Sequence, residues 1–160
     1  MVDDYAHAYS AMSRRLVRVA SLIVGDQDAA ADAVAEAFAK VYPKWRAGKV
    51  DDLAAYLHRA VVNEALSITK RRRDVRSVEL NVADHADHVA DHRVVLLALQ
   101  QLKPKPRAML VLRYFVGLSE AETAATLGVP IGTVKSAVAR ALAQLRPLLA
   151  DGGDRERHRA

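Results

Sequence analysis

The chain contains no cysteine. That absence excludes disulfides, thiolate metal sites and cysteine nucleophiles together, and it fits a reducing compartment. Glycine and proline are scarce, at 7 and 5 residues in 160, and the aromatics amount to one Trp, five Tyr and two Phe. Few chain breakers among abundant Ala and Leu favour helix throughout. Long apolar runs are also missing. Leu22-Ile23-Val24 gives way at once to Gly25 and Asp26, far short of a bilayer span. The start, Met1-Val2-Asp3-Asp4, is acidic and polar, so it does not read as a secretion signal. A soluble cytoplasmic protein without membrane insertion is expected. No phosphate-cradling glycine loop, zinc-protease His-Glu-x-x-His or nucleophile elbow is present. An enzyme is therefore not expected, and no cofactor is called for.

Positive charge is in surplus: 24 Lys and Arg against 19 Asp and Glu leave a formal net charge of +5. That balance favours a polyanionic partner such as nucleic acid. The charge is clustered. Lys70-Arg71-Arg72-Arg73 with Arg76 form one block, and Arg155, Arg157 and Arg159 mark a basic tail.

Apolar spacing organises the chain into two helical lobes. Tyr9, Met12, Leu16, Val19, Ala20 and Ile23 share one face of a first helix. A second helix is expected from about Gln27 to Tyr42, with Val34, Ala37, Phe38 and Val41 as its stripe. Pro43 is expected to end it. Asp28, Asp32 and Glu36 recur every four residues beside that stripe, either as a docking face for a basic partner or as an ordinary solvated edge. Lys44 to Asp51, with Trp45, Arg46, Gly48 and Lys49, reads as a loop. A third helix runs from Asp51 or Asp52 to about Arg72, burying Leu53, Tyr56, Leu57, Ala60, Val61, Ala65 and Ile68.

From Asp74 to His92 the pattern fails, as in an interdomain linker. His85, His88 and His92 with Asp84, Asp87 and Asp91 have spacings that could hold a metal. No partner that would orient the imidazoles is identifiable, so the stretch is read as a solvated acidic linker with no metal. Periodicity returns from Arg93, with Val94, Val95, Leu97, Leu99 and Leu102 in one helix. Pro104 and Pro106 break it, and Arg107 to Tyr114 forms the next.

Leu118 to Arg146 then reads as helix, sharp turn and helix. Ser119 and Glu122 have capping-box spacing, and Gly128 falls where a left-handed residue ends a helix. Val134, Val138, Ala141, Leu142 and Leu145 share one face of the second helix. Lys135, Ser136, Ala139, Arg140 and Ala143 share the other. Small side chains with two cations suit close approach to a DNA groove. No alternating strand pattern occurs, and the fold expected is all-α: two small helical domains joined by a linker. The C-terminal one is a four-helix domain with a helix-turn-helix.

Three pieces, in order, resemble one family. Asp32, Glu36 and Phe38 lie in an acidic helix. Tyr56-Leu57-His58-Arg59 to Asn63 precedes the basic run to Arg73. Leu112-Arg113-Tyr114-Phe115, Leu118-Ser119, Glu122, Leu127-Gly128-Val129-Pro130, Gly132-Thr133-Val134-Lys135-Ser136 and Arg140-Ala141 form the third. From about Tyr5 to Leu149 the chain resembles the extracytoplasmic-function (ECF, group IV) RNA polymerase sigma factors, of the actinobacterial type.

The resemblance implies a division at residues 1–76, which dock core polymerase and melt and read the −10 element, and 93–150, which read the −35 element. Residues 77–92 would be a linker threading the RNA-exit region, and 151–160 the basic tail. It assigns Asp28, Asp32, Glu36 and Phe38 to polymerase, and Gly132, Thr133, Lys135, Ser136 and Arg140 to −35 DNA. Trp45, Arg46, Lys49, Arg59, Asn63, Lys70, Arg71, Arg72 and Arg73 go to unpaired −10 DNA. Partners implied are core RNA polymerase, promoter DNA and an anti-sigma factor.

The chain departs from the pattern at Ala35 (usually Gln), Tyr56 (often Trp), Val61-Val62 (usually Ala-Arg) and Leu102-Lys103-Pro104-Lys105-Pro106 (usually Leu-Pro-Pro-Arg). Ala137 and Ala139 stand where some members carry larger groove-facing residues. The rival reading is a stand-alone helix-turn-helix regulator.

Overall fold

The computed structural model describes residues 2–73 and 89–157, and every regular element among them is helical. The chain divides into two compact units, residues 1–81 and 82–160.

The first unit is three mutually packed helices: α1 (Val2–Val24), α2 (Gln27–Arg46) and α3 (Leu53–Arg73). Helix α1 starts earlier than the apolar spacing indicates. Asp3 and Asp4 suit the positive end of a helix dipole, and Tyr5 is a core residue whose hydroxyl donates to the Phe38 carbonyl at 2.7 Å. Burial pushes the Tyr5 phenol up to about 12. Leu16 and Ile23 from α1, Val34 and Val41 from α2, and Leu57, Val61, Val62 and Ala65 from α3 fill the centre. Ala30, Ala33 and Ala37 are fully buried too, and their small side chains let the helices lie close. Burying each large aliphatic side chain contributes about 1.5–3 kcal/mol.

Between α1 and α2 the chain turns at Gly25 (φ 81°), and Asp26 caps α2 by accepting from the Asp28 and Ala29 N–H groups. Pro43 does not end α2, contrary to expectation. The pyrrolidine lacks the N–H that would reach the Ala39 carbonyl, and its ring crowds that carbonyl. But Pro43 and Ala39 are both exposed, and Pro43 lies three residues from the helix end, where water can take the place of the lost donor. The helix stops at Gly48 (φ 69°). The Gly48 N–H donates to the Trp45 carbonyl and the Lys49 N–H to the Lys44 carbonyl, closing a Schellman motif. Asp52 caps α3 through the Ala55 N–H at 3.0 Å.

The second unit holds α4 (Val89–Gln100), α5 (Pro104–Val111), a π-helical turn (Leu112–Val116), α6 (Glu120–Leu127) and α7 (Ile131–Arg157). Helix α4 takes the last four residues of the expected linker, because a first turn carries no apolar period by which to recognise it. Leu102 is buried but lies beyond that helix. Pro104 and Pro106 do not break a helix; they start α5, where the first turn needs no N–H donors. The first internal bond runs from the Arg107 N–H to the Lys103 carbonyl. The Arg107 side chain is itself buried, donating to the carbonyls of Leu99 at 2.9 Å and Leu102 at 2.7 Å. It closes the end of α4, where a cation is favoured. Helix α7 runs past Pro147 into the expected tail, as far as Arg157. The missing bond at Pro147 falls on the carbonyl of Ala143, an exposed residue.

Candidate nucleic-acid and polymerase interfaces

The helix-turn-helix is built by local chemistry. The Ser119 hydroxyl accepts from the Glu122 N–H at 3.0 Å, and the Glu122 carboxylate accepts from the Ser119 N–H at 2.7 Å. Gly128, at φ 65°, ends α6, and the Val129 N–H returns to the Ala124 carbonyl. Met109, Ala124, Val134, Ala137 and Val138 form the core beneath, with Leu127, Val129 and Leu142 against it. Ala137 is thus a packing residue, not a groove-facing one. Gly132, Thr133, Lys135, Ser136, Ala139, Arg140 and Ala143 are all exposed. They form one face of α7, as the 3.6-residue period requires. On that face the Lys135 ammonium lies 3.8 Å from the Glu120 carboxylate, in the first turn of α6. Arg140 makes no ion pair among the described residues.

On α2, Asp28, Asp32 and Glu36 are exposed along one edge. Phe38 is not on that edge: it is 4% exposed, with its ring edge-on to Tyr5 at 5.7 Å and to Tyr9 at 4.9 Å. A ring at that position completes the interhelix core, so Phe38 offers no surface. The aromatic that does reach the surface there is Tyr9, 47% exposed. The edge is also less acidic than its sequence. Lys40 lies 3.4 Å from Glu36 and 2.6 Å from Glu64. The hydrogen bond to Glu64, with the Glu36 charge adding, holds the Lys40 ammonium above the usual lysine range.

The expected strand-binding residues separate into three groups. Arg46, Lys49, Arg59, Asn63, Lys70 and Arg71 are exposed. Trp45 is not on a loop. It sits in the last turn of α2, half-buried, with its ring 5.0 Å from Tyr5 and 6.3 Å from Tyr42. Beside it Tyr42, Pro43, Arg46 and Ala47 line an open hollow of about 450 Å³. Arg72 is half-buried and committed, its guanidinium 3.0 Å from the Asp26 carboxylate. The Arg73 side chain lies outside the described residues. So do His85 and His88, and the side chain of His92. Tyr56 is half-buried, its hydroxyl accepting from Lys44 at 3.1 Å.

Val62, Arg107 and the Asp26–Arg72 pair were not foreseen as structural. A glycine followed by Asp at a helix start is a cap signature that marks Asp26. Nothing local marks its second partner.

No helix among the described residues is long and apolar enough to cross a membrane. Residues 8–75 match the family Sigma-70 region 2, and residues 92–145 match Sigma-70, region 4. The chain is 36% identical over 137 residues to the RNA polymerase sigma-E factor of Streptomyces coelicolor, covering 82% of this chain and 77% of that protein. It is 36% identical over 141 residues to the ECF RNA polymerase sigma factor SigM of Mycobacterium tuberculosis, covering 85% and 72%. Among solved structures, the sigma factor RpoE from Bartonella quintana, crystallised with the anti-sigma factor NepR, superposes with a TM-score of 0.77. Its identity is 28%, over 92% of this chain and 97% of that one. Two sigma-70 regions in order on one chain, with relatives of this identity and coverage, place the protein in the sigma-70 family, in its extracytoplasmic-function class.

Proposed function

We propose that this sigma factor directs core RNA polymerase to promoters by a division of labour between its two units. Residues 93–150 read the −35 duplex through the outward face of α7. Residues 1–76 hold polymerase through Asp28, Asp32 and Glu36. They also receive unpaired −10 DNA on Arg46, Lys49, Arg59 and Asn63, with Lys70, Arg71 and Arg73 following the backbone. Trp45 supports that surface from its aromatic cluster, and Phe38 supports the docking helix from the core. Residues 77–92 link the units, and 151–160 form the basic end. The observation that carries this reading is the exposed Lys135, Ser136 and Arg140 on a helix-turn-helix whose opposite face packs on the core through Val134, Ala137 and Val138.

The chemistry fits the roles. Lys and Arg donate to guanine O6 and N7, and Ser bonds a base or a phosphate. The Gly132 N–H in the first turn of α7 suits a phosphate. The Thr133 N–H donates to the Pro130 carbonyl at 3.0 Å, which leaves the Thr133 hydroxyl as its contact group. Catalysis stays with the polymerase, the protein acts in the cytoplasm, and an anti-sigma factor is its natural inhibitor, as NepR accompanies RpoE in the solved complex. Run-off transcription with core polymerase on a promoter library tests the proposal. Selective initiation from a subset of sequences is expected. DNA binding that never recruits core polymerase would instead establish the stand-alone regulator.

A further inference from the structure

The two cations on the outward face of α7 are not equivalent. Arg140 points from the helix without an acidic partner among the described residues, whereas Lys135 is paired with Glu120. Glu120 belongs to α6, so the pair spans the turn of the helix-turn-helix. Both side chains are accessible: Lys135 is 63% exposed and Glu120 37%. A carboxylate beside a DNA-reading helix faces a polyanion. It repels every phosphate-only encounter, whatever the sequence, and its repulsion is offset only where the bound bases provide something in return. A cytosine N4 amino group can donate to it, and a guanine can accept from the lysine that it holds. An acid in that position therefore weakens non-specific binding more than specific binding, which is how a repulsive element creates discrimination.

We propose that Glu120 is a specificity-determining residue for −35 recognition. It withholds Lys135 from phosphates and keeps that ammonium aimed at base edges. This deepens the reading of α7 as the DNA-reading helix and rests on it.

The test uses holoenzyme assembled from core polymerase and the full chain. Binding is measured on a promoter duplex and on the same duplex with its −35 element scrambled, over a range of salt. With Glu120→Gln, binding to the scrambled duplex should tighten about two- to fivefold, the range of one exposed ion pair. Promoter binding should tighten less, and the salt dependence on the scrambled duplex should steepen by about one phosphate contact. Glu120→Asp, which keeps the charge, should stay near the parent. In a Lys135→Ala background, Glu120→Gln should keep only the part of its effect that comes from direct repulsion of phosphates, because the cation it would release is gone. Equal tightening on both duplexes, or no change on either, overturns the proposal. The underlying reading fails separately, if Lys135→Ala and Arg140→Ala both leave −35 preference intact. Helix content by circular dichroism confirms that each variant folds, since Ser119 and Glu122 still cap α6.

Discussion

Asp26 and Arg72, 46 positions apart in sequence, meet at 3.0 Å across the first unit. One carboxylate thereby does two jobs: Oδ1 caps α2, and Oδ2 holds the last described turn of α3. Burial alone would raise the Asp26 pKa. Hydrogen bonds from Arg72, Ala29 and Asp28 and the guanidinium charge outweigh that effect, and the carboxyl sits below its usual range.

The pH dependence of stability follows in sign. A depressed native pKa stabilises fully above the unfolded value of about 3.9 and is lost as pH falls through the lower native value. Asp26→Asn keeps the cap but removes the charge, and should cost about 1 kcal/mol at pH 7. Asp26→Ala removes both and should cost about 1–2 kcal/mol. Thermal unfolding at pH 7 and at pH 2.5 checks this. The gap between parent and Asn variant should shrink at the lower pH, and a gap constant across that range would assign the loss to something other than the charged pair.

Exposed cations on the outer face of α7 make the next expectation specific. Lys135→Ala and Arg140→Ala should each weaken promoter binding, but in distinguishable ways. A base-reading side chain relaxes preference at one upstream position at a cost of about 1–3 kcal/mol, while a phosphate-binding one weakens all sequences alike. Binding to a set of single-base −35 variants separates the two. Parent-like binding by both would remove α7 from recognition.

Asp32 and Glu36 lie on the exposed edge of α2, so reversing both to Arg should leave the fold nearly as stable as before. Glu36→Arg also loses the contact with Lys40, an exposed pair of small worth. Association with core polymerase should nevertheless disappear, because like charge now meets a basic partner. A pull-down decides it, with circular dichroism as the control; retention of polymerase by a folded variant would relocate the docking surface.

The different settings of Asn63 and Trp45 give the fourth expectation. Asn63 is exposed, and Asn63→Ala should leave the melting temperature unchanged while reducing stable open complex on both duplex and pre-melted templates. Trp45 is half-buried among Tyr5 and Tyr42. Trp45→Ala should destabilise the first unit by about 2 kcal/mol or more, from lost burial and ring contacts. Permanganate footprinting together with thermal melts distinguishes them. A stable Trp45→Ala variant defective only in opening would mean that the indole itself receives a base.

The elements that local chemistry defines were legible in the sequence. The capping box at Ser119 and Glu122, the left-handed Gly128 and the two-faced α7 all follow from spacing a few residues long. What was not legible depends on partners far along the chain. An apolar stripe says that Phe38 is buried or flanks a surface; only the rings of Tyr5 and Tyr9 decide which. The basic run from Lys70 to Arg73 looks uniform in sequence, yet Arg72 faces Asp26 while Lys70 and Arg71 face water. Pro43, Pro104 and Pro106 differ from expectation because the effect of a proline depends on its place in the helix. Pro43 and Ala39 lie on the exposed side of α2, and at Pro104 and Pro106 the helix has only begun.

The π-helical turn from Leu112 to Val116 has a geometric consequence for how the DNA-reading unit tolerates change. A π turn accommodates one more residue than an α turn, and each residue of a helix swings the chain about 100°. Deleting one residue there would convert the turn to ordinary α-helix and rotate everything after it, as a wrong tooth count mis-sets a gear. Substitutions at the exposed Tyr114 or Phe115 leave that phase unaltered. The segment is thus strict in length and tolerant of substitution at Tyr114 and Phe115, whereas Leu112 is held in the core and Arg113 donates to the Leu118 carbonyl.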